Sequence, residues 1–435
     1  KRAQPWTAAT SILDVTSTFL THNGQPYTPK DYDGREHGPV SVRTALASSL
    51  NIPAVKTLQQ VGIQDTINLA RQLGITSLGD PESYDLSLAL GGGQISLLQL
   101  ATAYASLANN GYFTGHYAIL DIRDAGGKLL YSQPHASPVQ VFDPRVTWLI
   151  SDILSDDRAR ETGFGLNSTL KLDRAAAVKT GTTTNFHDNW TVGYTPDLLV
   201  GVWVGNSNYE AMKDVSGVTG AAPIWNETMR SLLQGRPDRP FVQPAGIEGA
   251  QVCDLSGLLP TLACPHTRTE WFISGTQPTQ TDTYYRQVWT DALTGAPADA
   301  ATPVDRRKQV TLLDLPVEAL PWARRQGLPL MADLKQASGS ISTHSLVITS
   351  PTPNTTYRMT ADIDASAQQL PVEAVGEDFS RVRLYVDGVA LQSFASAPYQ
   401  AWWQLAPGEH RFWAEGETSS GETIKSNEVV ITVLP

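Results

Sequence analysis

The sequence predicts an α+β domain over residues 1–240, in which helices pack on an antiparallel sheet. An irregular connector follows over residues 241–339, and an all-β, Ig-like sandwich ends the chain over residues 340–435. Two observations predict this order. The first region mixes helical and strand-like apolar spacing, whereas the last contains strand-like runs separated by turn residues.

The helical segments of the first region have apolar residues at intervals of three and four. They are residues 40–50, 63–75, 97–111 and 143–157. Asn110-Gly111 is a typical helix C-cap, and Asp143 followed by Pro144 is a typical helix start.

Three strand-like runs close the first region, at residues 174–181, 188–195 and 198–205. The two connections between them are short, which predicts a three-stranded antiparallel meander. Helices gathered against one antiparallel sheet define an α+β domain.

The connector is rich in Pro, Thr, Gln and Asp and has weak periodicity, with one helix predicted near residues 316–326. The sandwich is predicted from strand-like runs at residues 345–351, 381–388, 399–405, 409–416 and 427–435. Asp387-Gly388 and Pro407-Gly408 are hairpin turns between them.

Composition excludes several classes of protein. The 435 residues are 41% hydrophobic and 17% charged, which is typical of a globular chain, and the net charge of −11 argues against a nucleic-acid partner. No apolar run of about 18 residues predicts a membrane span. The chain opens with Lys1-Arg2 and no initiating Met, which suggests a piece of a longer protein.

The two cysteines, Cys253 and Cys264, do not form a Cys-x-x-Cys pair, and no histidine cluster accompanies them. We therefore expect no zinc site. A local disulfide in an oxidising compartment and two free thiols both remain open.

The first strand of the meander carries Lys179-Thr180-Gly181-Thr182. Side chains alternate along a strand, so Lys179 and Gly181 share one face and the two threonines share the other. A glycine here suggests that a ligand comes close. An extended peptide along this edge would have its terminal carboxylate held by the ammonium and the threonine hydroxyls, and the N–H of Thr182 would supply half of an oxyanion hole. A bare Lys-Thr-Gly is more often only a solvent-facing lysine.

A second motif, Ser49-Leu50-Asn51, joins two helical segments, because Pro53 suits the first turn of a helix and not its interior. It offers a hydroxyl for proton relay and a carboxamide to hold a substrate amide. Taken alone, Ser and Asn are also the residues expected at a plain helix N-cap.

Together and in this order, the two motifs resemble two of the three elements of penicillin-binding proteins and class A β-lactamases: Ser-x-x-Lys, Ser-x-Asn and Lys-Thr-Gly. Residues 38–63, 86–113 and 178–206 are similar to class A penicillin-binding proteins. Residues 252–265 and the terminal sandwich resemble the extension of the 1C branch of that family.

The resemblance implies the penicillin-binding and β-lactamase-like transpeptidase fold and a D,D-transpeptidase that cross-links peptidoglycan stem peptides. Ser49, Asn51 and Lys179 would be catalytic: the serine relays a proton, the asparagine holds the substrate backbone and the lysine keeps the site electropositive. Thr180, Gly181 and Thr182 would bind substrate. β-Lactams would react at the same site, and no metal or organic cofactor is implied.

The resemblance also implies a periplasmic location or one at the extracytoplasmic face of the bacterial inner membrane. Membrane contact would come only from an N-terminal anchor outside this chain, as would a peptidoglycan glycosyltransferase domain. Proteins of cell-wall synthesis are the partners implied for the C-terminal sandwich.

The chain departs from the family pattern in its first motif. Residues 1–48 contain no Ser-x-x-Lys, and the one in the chain, Ser168-Thr169-Leu170-Lys171, follows Ser-x-Asn and lies too close to a strand to begin a helix. We expect the nucleophilic serine upstream of Lys1, so the fragment alone would be inactive.

Two alternatives remain. The chain could be a non-catalytic scaffold that binds peptidoglycan or proteins. A β-lactamase-like hydrolase is disfavoured by the length of the chain, the connector, the sandwich and the lack of a recognisable deacylating Glu loop.

Overall fold

The computed structural model describes residues 5–21, 25–134, 137–183, 186–213, 215–337, 346–351, 356–359, 368–376 and 379–434. The helices of the first region are α1 (Val42–Ala47), α2 (Asn51–Val61), α3 (Ile63–Gln72), α4 (Leu97–Ala108), α5 (Pro144–Ser155), α6 (Glu161–Phe164) and α7 (Ala221–Leu233). Its strands are β1 (Ser11–Asp14), β2 (Phe19–Leu20), β3 (Pro26–Tyr27), β4 (Gly38–Ser41), β5 (Tyr112–Phe113), β6 (Asp121–Arg123), β7 (Leu129–Ser132), β8 (Val139–Gln140), β9 (Ala177–Thr182), β10 (Asp188–Thr195) and β11 (Leu198–Gly205).

The predicted helix ends are found in the structure. Asp143 caps α5 by accepting a hydrogen bond from the backbone N–H of Arg145, and Pro144 is the first helical residue. After α4 the chain reverses through Asn110 and Gly111, both at positive φ. A Cβ at Gly111 would lie 2.2 Å from the carbonyl oxygen of Phe142, so the turn admits only glycine.

The meander is confirmed. β9, β10 and β11 form an antiparallel sheet in the order β11-β10-β9, and Lys179 lies opposite Val192. One face of the sheet packs on α7, whose Trp225 is fully buried against Val178. The other face, with Ala177 and its partner Tyr194, packs on α4 and α5. β9, the strand that carries Lys179, lies at the edge of this sheet.

The connector is more regular than the sequence predicts. It contains two antiparallel hairpins, formed by β12 (Ile247–Cys253) with β13 (Thr267–Ile273) and by β14 (Tyr285–Asp291) with β15 (Arg307–Leu313), and then α8 (Leu320–Arg325) and α9 (Met331–Ala337). The expectation of an irregular segment is therefore wrong, although the helix predicted near 316–326 is present. Each hairpin buries only part of its residues, so its strands lack the strong apolar alternation that predicts a sheet from a sequence.

Cys253 and Cys264 form a disulfide that links the end of β12 to the loop before β13. This decides between the two states that the sequence left open. A disulfide is typical of proteins that fold in an oxidising compartment.

The C-terminal region is a sandwich of two sheets. Its strands are β16 (Leu346–Ser350), β17 (Thr356–Arg358), β18 (Gln369–Gly376), β19 (Phe379–Val386), β20 (Val389–Phe394), β21 (Tyr399–Gln404), β22 (Gly408–Thr418), β23 (Thr423–Lys425) and β24 (Val429–Leu434). One sheet has the order β16-β18-β21 and the other β17-β24-β22-β19-β20, with β23 paired to β22. Buried residues of both sheets, such as Val372 and Phe412, form one core. The predicted boundary at residues 339/340 lies outside the described residues.

Candidate active site

The Ser-x-Asn corner is a helix terminus of unusual composition. α1 ends with Ser48 as its C-cap, the N–H of Ser49 donates to the carbonyl of Leu46, and the N–H of Leu50 donates to the carbonyl of Ala45. This pair of bonds is a Schellman motif, which places Ser49 at the position where glycine is preferred. Ser49 accordingly has φ +60°. A residue with a Cβ is strained here by about 1–2 kcal/mol.

The hydroxyl that this strained residue carries meets the predicted lysine. Lys179 donates from Nζ to Ser49 Oγ at 2.5 Å and to the carbonyl oxygen of Thr180 at 2.8 Å. Burial of the ammonium lowers the pKa of Lys179 to about 8, because a charged amine loses hydration there. The structure thus brings together two residues that are 130 positions apart in the chain.

Asn51 begins α2, and the corner is held from behind by the loop at residues 30–31. The Nδ2 of Asn51 donates to the carbonyl oxygen of Lys30 at 2.7 Å. The backbone N–H groups of Asn51 and Ile52 both donate to Oδ1 of Asp31. Because the cap of α2 comes from Asp31 and not from Ser49, the serine hydroxyl is not used as a plain N-cap.

The two threonines of the other motif lie on the face of β9 opposite Lys179. Thr180 is buried, and Thr182 Oγ1 accepts a hydrogen bond from the N–H of Gly217, which precedes α7. Gly181 lies on the lysine face, and a Cβ there would come no closer than 3.5 Å to Trp190. Internal packing therefore does not require this glycine.

The backbone of β9 presents hydrogen-bonding groups that do not pair with β10 along its open edge. Thr183 donates to the carbonyl oxygen of Asp188, so by the alternation of an antiparallel ladder the N–H of Thr182 and the carbonyl of Thr180 point away from β10. The carbonyl of Thr180 is also the one that Lys179 contacts. An extended peptide can pair with this edge beside the Ser49–Lys179 contact.

The Ser-x-x-Lys sequence at residues 168–171 is not helical. Ser168 lies after the end of α6, and its buried Oγ has no hydrogen-bond partner. Lys171 instead faces Asn167 at 2.5 Å and Asp157 at 3.2 Å. A Ser-x-x-Lys nucleophile needs its serine and lysine on the same face of a helix. Residues 168–171 do not form a helix, so they do not provide this arrangement.

Sequence reasoning missed two supports of the corner. Asp31 holds the N-terminus of α2, and Gly163 of α6 approaches so closely that a Cβ would lie 2.2 Å from the carbonyl oxygen of Ser48. An aspartate in a turn-rich stretch such as residues 30–38 has the appearance of an ordinary turn residue. A local pattern gave no signal for either contact.

Comparison with known proteins finds three family models that match this chain. The model of the penicillin binding protein transpeptidase domain matches residues 14–230. The model of the penicillin-binding protein 1A C-terminal domain matches residues 243–287, and that of the Penicillin-Binding Protein C-terminus Family matches residues 335–418.

Individual relatives match part of this chain. Penicillin-binding protein 1A of Neisseria lactamica is 34% identical over 248 residues, which are 55% of this chain and 31% of the relative. Penicillin-binding protein 1A of Clostridium botulinum is 32% identical over 290 residues, which are 65% of this chain and 34% of the relative. The chain thus spans about a third of the length of these curated relatives.

A crystal structure of penicillin-binding protein 1A from Haemophilus influenzae superimposes with a TM-score of 0.56 at 25% identity, and covers 64% of this chain and 47% of that one. Fold and site together define a transpeptidase-type domain followed by C-terminal modules. The chain belongs to the class A penicillin-binding proteins. Its place in the 1C branch stays a prediction, since the relatives named here are 1A proteins.

Proposed function

We propose that this chain is the transpeptidase region of a peptidoglycan D,D-transpeptidase, a penicillin-sensitive serine acyl transferase of cell-wall synthesis. The observation that carries the proposal is the contact of Lys179 Nζ with Ser49 Oγ at 2.5 Å, beside the open edge of β9. A lysine with a pKa of about 8 can exchange a proton with a hydroxyl near neutral pH.

In the proposed reaction, the Oγ of a nucleophilic serine attacks the carbonyl carbon of the penultimate D-Ala of a stem peptide, and the lysine of its own Ser-x-x-Lys takes the hydroxyl proton. The peptide bond to the terminal D-Ala breaks, and Ser49 passes a proton to the leaving amine. An amine of a neighbouring stem peptide then attacks the acyl-enzyme ester and forms the cross-link, and the proton that the amine loses returns to the released serine Oγ. Since no usable Ser-x-x-Lys lies within the 435 residues, the proposal requires a nucleophile from outside them.

The substrate would lie along β9. The N–H of Thr182 would bind the oxyanion, and Asn51 would hold the substrate amide. Lys179, when protonated, attracts the substrate carboxylate, and the hydroxyls of Thr180 and Thr182 would have to reach it from the neighbouring face. β-Lactams carry a comparable carboxylate and would acylate the same serine.

The setting of the reaction is also part of the proposal. The disulfide supports a periplasmic or extracytoplasmic location. Within the part of the chain that the structure describes, no helix has the length and apolar character of a membrane span. An anchor and a glycosyltransferase domain would belong to the longer protein, and the sandwich would bind other proteins of cell-wall synthesis.

The test is fluorescent penicillin labelling of the full-length protein, followed by mapping of the labelled peptide. We expect one labelled serine outside residues 1–435, and a loss of acylation rate of about 10²–10⁴-fold in Ser49→Ala, the range for a general acid–base group. A label on Ser168 or Ser49 would overturn the assignment of roles. A folded protein without any label would favour the scaffold.

A further inference from the structure

Behind the Ser49–Asn51 corner, three side chains from separate segments converge. Asp14 ends β1, Asp31 lies in the loop that caps α2, and His37 precedes β4. One potential ligand atom from each residue lies within 4.8 Å of the others. We call Asp14, Asp31 and His37 the acid–histidine cluster.

The cluster contains two buried carboxyl groups beside the imidazole of His37. Asp14 is 0% exposed and Asp31 is 5% exposed. Oδ1 of Asp14 and Oδ2 of Asp31 are both buried and have no hydrogen-bond partner. No described lysine or arginine forms a salt bridge with either residue, and the nearby Lys56 donates its Nζ to the carbonyl oxygen of Leu13.

We propose that the acid–histidine cluster binds one divalent transition-metal ion of the zinc type, through Oδ1 of Asp14, Oδ2 of Asp31 and an imidazole nitrogen of His37. The mixed oxygen and nitrogen donors favour such an ion over Mg²⁺, which prefers oxygen ligands. Ligand atoms of a tetrahedral zinc ion lie roughly 3.3 Å apart. Side-chain rotations that move the ligand atoms by on the order of 1 Å would therefore bring the three groups into coordination.

The groups around the cluster match those that orient metal ligands. His37 Nε2 lies 3.2 Å from Asp33 Oδ2 on the outer side, whereas its Nδ1 lies inside the cluster, 2.6 Å from Asp14 Oδ2, and is the nitrogen that would turn to the ion. A metal-bound imidazole commonly donates its other N–H to a carboxylate in this way. Oδ1 of Asp31 meanwhile accepts the backbone N–H groups of Asn51 and Ile52. A bound ion would therefore tie β1 to the N-terminus of α2 and brace the corner.

The proposal revises the expectation, implied by the family resemblance, that the chain needs no metal, and the expectation of no zinc site drawn from the two cysteines. The site would be structural. The ion would take no part in the proposed reaction. Penicillin labelling therefore tests the proposed function, and metal binding tests the metal site.

The experiment uses the purified full-length protein stripped with a chelator. After dialysis against Zn²⁺ we expect about one zinc per chain by mass spectrometry, and at an ion concentration one hundred times the dissociation constant a rise in Tm on the order of 5 °C. Mg²⁺ should give neither effect. His37→Gln should weaken zinc binding by at least about 10-fold, as should Asp33→Asn, and the exposed His266→Gln is the matched control.

Both variants lie at the partly exposed side of the cluster, so they keep the test valid if Asp14→Asn does not fold. Zinc content well below one per chain with an unchanged Tm would overturn the proposal. So would zinc binding by His37→Gln at the wild-type affinity, or stabilisation by Mg²⁺ alone.

Discussion

The strained backbone of Ser49 makes a sharp prediction about the balance between stability and function. Ser49→Gly and Ser49→Ala both remove the hydroxyl that Lys179 contacts, but only glycine fits the positive φ of +60° without strain. Comparing the two variants with each other therefore isolates the backbone. Comparing either with the wild type includes the loss of the hydrogen bond.

The magnitude follows from two opposing terms. Relief of the left-handed conformation favours glycine by about 1–2 kcal/mol, and the greater freedom of glycine in the unfolded chain disfavours it by about 0.4–1 kcal/mol. We expect Ser49→Gly to be more stable than Ser49→Ala by about 1 kcal/mol. For a domain of this size, that is a difference in Tm of about 2–4 °C.

The assay is thermal and urea unfolding of both variants, with penicillin labelling of the full-length proteins in parallel. Both variants should lose labelling to the same extent, since neither has a hydroxyl. The reasoning is refuted if the alanine variant is the more stable, or if the glycine variant keeps the labelling rate of the wild type. Either result would mean that Ser49 is not strained or does not act through its hydroxyl.

Three further predictions test the electrostatics and packing around the site. The pKa of Lys179 is lowered to about 8 from 10.5 in the unfolded chain, so burial of the ammonium disfavours folding below pH 8 by on the order of 3 kcal/mol, and this cost disappears as pH rises towards 10.5. Lys179→Met should therefore have a higher Tm than the wild type at pH 7, and the difference in Tm should shrink by pH 10. A difference in Tm that stays constant between pH 7 and pH 10 would contradict this. Gly163→Ala should displace the corner and slow labelling by at least about 10-fold, whereas Gly79→Ala, whose Cβ has only a contact at 4.0 Å, should label like the wild type. Arg43→Met should leave the fully buried Glu270 with only the longer contact to Arg268 at 3.7 Å as an ion pair, and should lower the free energy of unfolding by about 3–5 kcal/mol in urea titrations; a loss below 1 kcal/mol would show that the Arg43–Glu270 pair is dispensable.

Local periodicity predicted most of the first region. The three strands of the meander and the start of α5 at Pro144 occur where their apolar spacing and caps place them. This works because a strand or helix that buries one face must repeat its apolar residues with the period of that element. The two hairpins of the connector were missed because only part of the residues on either face is buried.

The site was predictable only as two separate motifs. Ser49 and Lys179 each had an ordinary local explanation, a cap and an exposed lysine, and it was their order and resemblance to a known set that joined them. The alternation of side chains along β9 did place Thr180 and Thr182 on the face opposite Lys179. The backbone strain at Ser49 and the capping of α2 by Asp31 were not visible in the sequence.

The sequence by itself determined the main helices and the three-stranded meander of the first region, the β character of the last and the residue types available for acyl transfer. Only the tertiary structure decided which of those residues meet. It set Lys179 against Ser49, Glu270 against Arg43 over 227 positions, and His37 between two buried aspartates. Local patterns record which face of an element is buried, whereas the partner found there depends on how distant elements pack, and burial then changes the charge and reactivity of both.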